Sequence, residues 1–105
     1  MIVHYNSSKD EKILCNERLL YKNYKKEHAK KIQSRLTELE AANNLGEIPQ
    51  IPPPRRHKLR GEYQMCWGID YSPNYRIIIE PYGTYNIDDL TTITEIKILK
   101  LEDYH

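Results

Sequence analysis

Apolar residues recur at two periods along this chain, and the change of period divides it. Ala29, Ile32, Leu36 and Leu39 follow one another at three- and four-residue steps, the stripe that one face of an α-helix presents to a core. The spacing predicts a helix over about residues 25–43, ending where Asn43-Asn44-Leu45-Gly46 supplies stop signals. Upstream, Ser7 or Ser8 can cap a shorter helical stretch whose Ile13, Leu14, Leu19, Leu20 and Tyr24 pack against the longer helix. Asn16 is a point of interruption in that stretch, and residues 2–5 are β-prone enough to form a first strand.

Pro49, Pro52, Pro53 and Pro54 lie within six residues. They remove backbone donors and fix φ, so no helix or central strand crosses this point. Beyond it the period becomes two. Tyr63, Met65, Trp67, Ile69 and Tyr71 fall on one face and Gln64, Cys66, Gly68 and Asp70 on the other, the pattern of a half-buried strand. Ser72-Pro73-Asn74 forms a turn, and the run Tyr75 to Glu80 returns as a strand apolar enough to be central in a sheet. Pro81-Tyr82-Gly83 closes it, and Thr94 to Leu101 supplies a last β-branched strand. The fold class expected is α+β: a small twisted antiparallel sheet with two N-terminal helices packed on one face.

Length and composition narrow this picture without changing it. The 105 residues make one domain, and 39% apolar with 30% charged residues is the composition of a soluble globular protein. No apolar run exceeds three residues, which excludes a bilayer-spanning helix of about 20 apolar residues. The opening Met1-Ile-Val-His-Tyr has no basic start followed by an apolar stretch, so a cytoplasmic protein with no membrane partner is expected. Cys15 and Cys66 have no Cys-x-x-Cys spacing and no neighbouring histidines. They are expected to be reduced core residues, with no metal site.

A net charge of +1 argues against a generic nucleic-acid binder. Polyanion contacts must therefore come from local patches, and there are two. Lys22, Lys25, Lys26, Lys30 and Lys31 share residues 22–31 with a single glutamate, while Arg55, Arg56, Lys58 and Arg60 surround His57 with no acid among them. The lysines either solvate a helix face or grip RNA phosphates. Compensating acids (Asp88, Asp89, Glu95, Glu102, Asp103) lie after Thr84 with only two lysines, a local net of −3.

The sequence has no phosphate-cradling Gly-rich loop, no His-Glu-x-x-His and no Gly-x-Ser-x-Gly. What remains is His57, whose cationic neighbours disfavour a further charge on its ring and suit a base, and the closing Asp103-Tyr104-His105. Such groups can do acid–base work, although residues at a chain terminus are more often frayed and tolerant of change.

His57-Lys58-Leu59-Arg60-Gly61, Trp67-Gly68-Ile69-Asp70, Asn74-Tyr75-Arg76-Ile77-Ile78 and the terminal Glu102-Asp103-Tyr104-His105 together resemble the HigB branch of the RelE/ParE toxins. The resemblance spans the chain. It implies the toxin of a type II toxin–antitoxin pair, an mRNA endonuclease that enters the ribosomal A site, cuts the message being translated and needs no cofactor. It assigns catalysis to His57, Arg76, Asp103, Tyr104 and His105, with Arg55, Arg56, Lys58, Arg60 and the lysines at 22, 25, 26 and 30 gripping RNA. Asp103 would orient an imidazole, Tyr104 would contact a nucleotide, and Arg76 would stabilise charge or, alternatively, serve as an inward structural arginine. The partners implied are the 70S ribosome, mRNA and a helix-turn-helix, HigA-like antitoxin, with operator DNA reached only through the antitoxin complex. The chain departs from the family at Met65, where a glycine is common, and at Glu62-Tyr63, where an Asp-Arg pair is common. A non-catalytic ParE-like inhibitor of DNA gyrase, or a degenerate antitoxin-binding module, would use the same fold.

Overall fold

The computed structural model describes residues 1–103; Tyr104 and His105 lie outside the described residues. Strand β1 (Ile2–Tyr5) leads into α1 (Ser8–Leu14), α2 (Glu17–Asn23) and α3 (Lys26–Ala41). The long helix keeps the predicted stripe and is two residues shorter at its C-terminal end. The stretch before it is two helices rather than one. Ser7 caps the first by accepting from the Asp10 amide, and Asn16 caps the second by accepting from the Leu19 amide. The interruption at Asn16 is therefore a new N-terminus, because the asparagine side chain satisfies an amide that a continuous helix would have paired internally.

After the proline segment, β2 (His57–Lys58), β3 (Trp67–Ser72), β4 (Tyr75–Pro81) and β5 (Glu95–Asp103) complete one sheet in the order β1-β5-β4-β3-β2. β2, β3, β4 and β5 pair antiparallel, as the periodicity predicts, but β1 pairs with β5 in parallel. The sheet is thus mixed. A parallel pair needs a long connection, and the three helices and proline loop between β1 and the hairpin strands provide it.

Alternation then sorts the sheet into two faces. Trp67, Ile69, Tyr71, Ile77, Ile79, Ile96 and Ile98 join Leu20, Ala29, Ile32, Leu36 and Leu39 of the helices in the main core. On the other face Leu59, Cys66 and Ile78 form a second, smaller cluster with Tyr63 and Leu99 packed against it. This second cluster changes the reading of β3. Residues 67–71 are all buried, not alternately exposed. Tyr63 sits in a short helical turn over Gly61–Tyr63, Met65 is exposed, and the strand begins only at Trp67.

The cysteines divide as well. Cys66 is buried in the second cluster, where burial pushes its thiol pKa up and keeps it protonated and inert. Cys15 is exposed, with its Sγ 3.2 Å from the Tyr5 hydroxyl, which corrects the expectation that both are core residues. It occupies the turn after α1, where the chain leaves the helix for Asn16 and has no core to face.

Candidate functional site

The helix-bearing face is closed by the main core, so chemistry is open to the opposite face. The proline loop delivers His57 there. The Arg56 amide donates to the Pro49 carbonyl (2.9 Å) and the Asp70 amide to the Pro54 carbonyl (2.7 Å), tying the loop to itself and to β3. Arg55 takes a left-handed backbone (φ 41°), a conformation that costs a non-glycine residue about 1 kcal/mol or more. Its Nε lies 2.6 Å from Asp70 Oδ2, a contact that offsets this cost by fixing the turn.

The next residue is His57. Its Nδ1 lies 2.7 Å from the Arg55 carbonyl. A carbonyl only accepts, so Nδ1 carries a proton, and in the neutral tautomer this contact selects, Nε2 bears the lone pair.

His57 pairs with Gly68, and Asp70 with Arg76, which in turn pairs with Glu102. Directly paired residues project to the same side, and Gly68 and Asp70 are two apart, so all five positions share the helix-free face. Gly68 is the centre of the group. A Cβ there would stand 2.8 Å from His57 Cε1 and Nε2 and 3.2 Å from Arg76 Cδ. The imidazole and the arginine stem therefore meet over a bare patch of backbone that only glycine leaves open. Arg76 donates from Nε (3.1 Å) and Nη2 (2.9 Å) to Glu102 Oε2, and both side chains are 18% exposed, so the pair is held firmly at the rim of the site.

This geometry predicts that Gly68→Ala displaces the imidazole without unfolding the sheet, because the clashing atoms belong to a side chain that can swing away. The His57 ring resonances of the alanine variant should shift while its melting temperature stays within a few degrees of the parent. Unshifted ring resonances would show that the imidazole does not lie against Gly68.

The comparisons with known proteins concern this architecture. No protein-family model and no curated protein matches the chain. Among solved structures it superposes on a YoeB/ParE toxin from Agrobacterium tumefaciens with a TM-score of 0.59 and 11% identity, over 100% of both chains. It also superposes on the YoeB-YefM complex from Staphylococcus aureus with a TM-score of 0.58 and 13% identity, over 100% of this chain and 97% of that one. The fold is that of the YoeB/ParE toxins. The α+β expectation is thereby met; at these identities the likeness shows the fold and does not reach the HigB branch.

On this YoeB/ParE-like scaffold the remaining sequence-chosen residues scatter. Arg56 is buried and its Nε donates to the Ile48 carbonyl (2.8 Å), so it braces the loop from inside. Burial also lowers its pKa. Lys58 follows His57 and so projects to the other face, with its Nζ 4.9 Å from the Trp67 ring centroid. Arg60 is exposed just before the Gly61–Tyr63 turn. Lys22, Lys25, Lys26 and Lys30 are exposed on the helical layer, across the sheet from His57 and Arg76.

Asp103 is the last described residue and pairs with Tyr75. One position beyond Glu102, it projects to the helix side, where its charge helps push the Tyr71 hydroxyl up to about 12, after burial as the main cause. Tyr104 and His105, the other two members of the terminal motif, lie outside the described residues. Two residues that sequence reasoning passed over belong to the site: Glu102, which orients Arg76, and Asp70, which anchors Arg55. Only one signal for them existed, the acids at cross-strand positions next to arginines, and it becomes visible once the register is known.

Proposed function

We propose that this chain is the toxin of a type II toxin–antitoxin pair, a metal-independent endoribonuclease that cuts translated mRNA in the ribosomal A site. The observation that carries the reading is the meeting of His57 and Arg76 over Gly68 on the open face of a YoeB/ParE-like fold. His57 Nε2 removes the proton of a ribose 2′-hydroxyl, and the oxygen attacks the adjacent phosphorus. Arg76, steadied by Glu102, balances the charge that grows on the equatorial oxygens. The bond to the 5′-oxygen breaks, leaving a 2′,3′-cyclic phosphate and a 5′-hydroxyl. His105 supplies the proton to that leaving oxygen, with Tyr104 against the flanking nucleotide, as the HigB resemblance implies, while Asp103, on the helix side of the sheet, takes no direct part.

The exposed lysines at 22, 25, 26 and 30 dock on ribosomal RNA, and Arg60 holds the message, while Lys58 stays over the Trp67 ring on the other face. An antitoxin partner is supported by the YoeB-YefM complex among the structural neighbours; here it is a HigA-like helix-turn-helix protein, through which alone the toxin meets operator DNA. The toxin acts in the cytoplasm. Primer extension on message translated with and without ribosomes, in EDTA, tests the whole reading. Cuts within codons in the ribosome sample are expected. Intact message together with blocked gyrase supercoiling would replace it with a ParE-like inhibitor, and intact message with an undisturbed host would leave an antitoxin-binding module.

A further inference from the structure

Asp70 grips the chain twice just before His57. Its backbone amide donates to the Pro54 carbonyl (2.7 Å). Its carboxylate accepts from the next residue, Arg55, whose Nε is 2.6 Å from Oδ2 and whose Nη2 is 3.4 Å from Oδ1. Asp70 is 8% exposed and sits within the paired strand β3, which makes it a firm anchor. Beside it the backbone of Arg55 is turned to φ 41°, a conformation that a non-glycine residue keeps only when its surroundings impose it. That turn aims the Arg55 carbonyl at His57, whose Nδ1 donates to it across 2.7 Å.

We propose that Asp70 is a positioning residue for the base: through Arg55 it decides which nitrogen of the His57 ring holds the proton, an inference that rests on the nuclease reading. In water an unconstrained neutral imidazole favours the proton on Nε2, which would leave that nitrogen without the lone pair a base needs. A carbonyl held at Nδ1 reverses the choice. The carbonyl stays there while Arg55 keeps its left-handed turn, and the charge-assisted contact with Asp70 offsets the cost of that turn. Glycine would need no such support, because without a Cβ it takes positive φ freely. Asp70 therefore matters as long as position 55 carries a side chain, and ceases to matter when it does not.

The test is the heteronuclear NMR spectrum of isotope-labelled free protein at a pH where the ring is neutral, with the His57 ring signals identified by their loss in His57→Ala. The form protonated on Nδ1 should dominate in the parent. Asp70→Asn keeps the amide contact to Pro54, yet it should move the ratio of the two tautomers roughly tenfold towards Nε2–H, the worth of one hydrogen bond. Arg55→Ala should do the same, because alanine holds a left-handed turn poorly and brings no guanidinium. Arg55→Gly should keep the parental ratio, and Asp70→Asn added to it should change nothing further. The Arg55 side chain is partly exposed, so the contrast between its alanine and glycine variants decides the matter if Asp70→Asn does not fold.

A parental ratio in both Asp70→Asn and Arg55→Ala overturns the proposal, even where the melting temperature drops, since the ion pair would then be structural alone. A ratio that shifts as far in Arg55→Gly as in Arg55→Ala also overturns it, because the turn would not be the link. The ratio is read without RNA, so the two readings fail separately. Tautomer control by Asp70 in a chain that cuts no message removes the nuclease and leaves the positioning role, whereas cutting by a chain whose ratio ignores Asp70 does the reverse.

Discussion

His57→Ala should lower the rate of message cleavage on the ribosome by roughly 10²–10⁴-fold, the usual contribution of a positioned general base. The ring is half-buried at the edge strand, and its contact with the Arg55 carbonyl serves orientation. Losing it removes little packing, so the thermal midpoint should move by no more than a few degrees. Binding of an uncleavable 2′-O-methyl oligoribonucleotide should persist, since Arg76 is untouched. Single-turnover cleavage on programmed ribosomes measures the effect, and a rate within about threefold of the parent would remove His57 from catalysis. Arg76→Gln distinguishes the roles further: it weakens charge stabilisation and also leaves Glu102 without its main cation, so both activity and stability should drop.

The largest effect on stability is expected from Ile77→Ala. Ile77 is fully buried in the central strand β4, paired with Ile69 on one side and Leu101 on the other, beneath the helical layer. Its removal leaves a cavity that a paired backbone cannot close, and such truncations cost about 2–5 kcal/mol. For a domain of this size that is a drop of roughly 10–30 °C in Tm. Denaturant titration should show the midpoint shifting with an unchanged slope. A change below about 0.5 kcal/mol would mean that the helices do not seal against β4 as the burial indicates.

The elements that proved legible before the structure are those governed by local rules. The α3 stripe at Ala29, Ile32, Leu36 and Leu39 is buried as the helical period requires, and Ser7 and Asn16 cap helices because their side chains reach amides three residues away. The proline cluster does end the helical half. Apart from Cys15, exposed in the turn after α1, the larger misreadings involve distant chain. Strand β3 looked half-buried because the second cluster over Cys66 comes from Leu59 and Ile78, which no local pattern ties to it. The parallel docking of β1 on β5 joins the two ends of the described chain, a pairing that hydrophobic period cannot encode. Arg56 resembled its neighbours in the basic run until the fold turned it toward the Ile48 carbonyl.

The sequence alone determined the helical and β halves, their boundary at the prolines, and a short catalogue of groups able to handle a phosphate. It could do so because side-chain period, capping and proline geometry act over a few residues. The tertiary structure decided which of those groups meet. It set His57 and Arg76 over Gly68 and sent Lys58 and Asp103 to the other face. These outcomes depend on strand register, where a shift of one residue reverses the face of every side chain, and register is set only when distant strands pair.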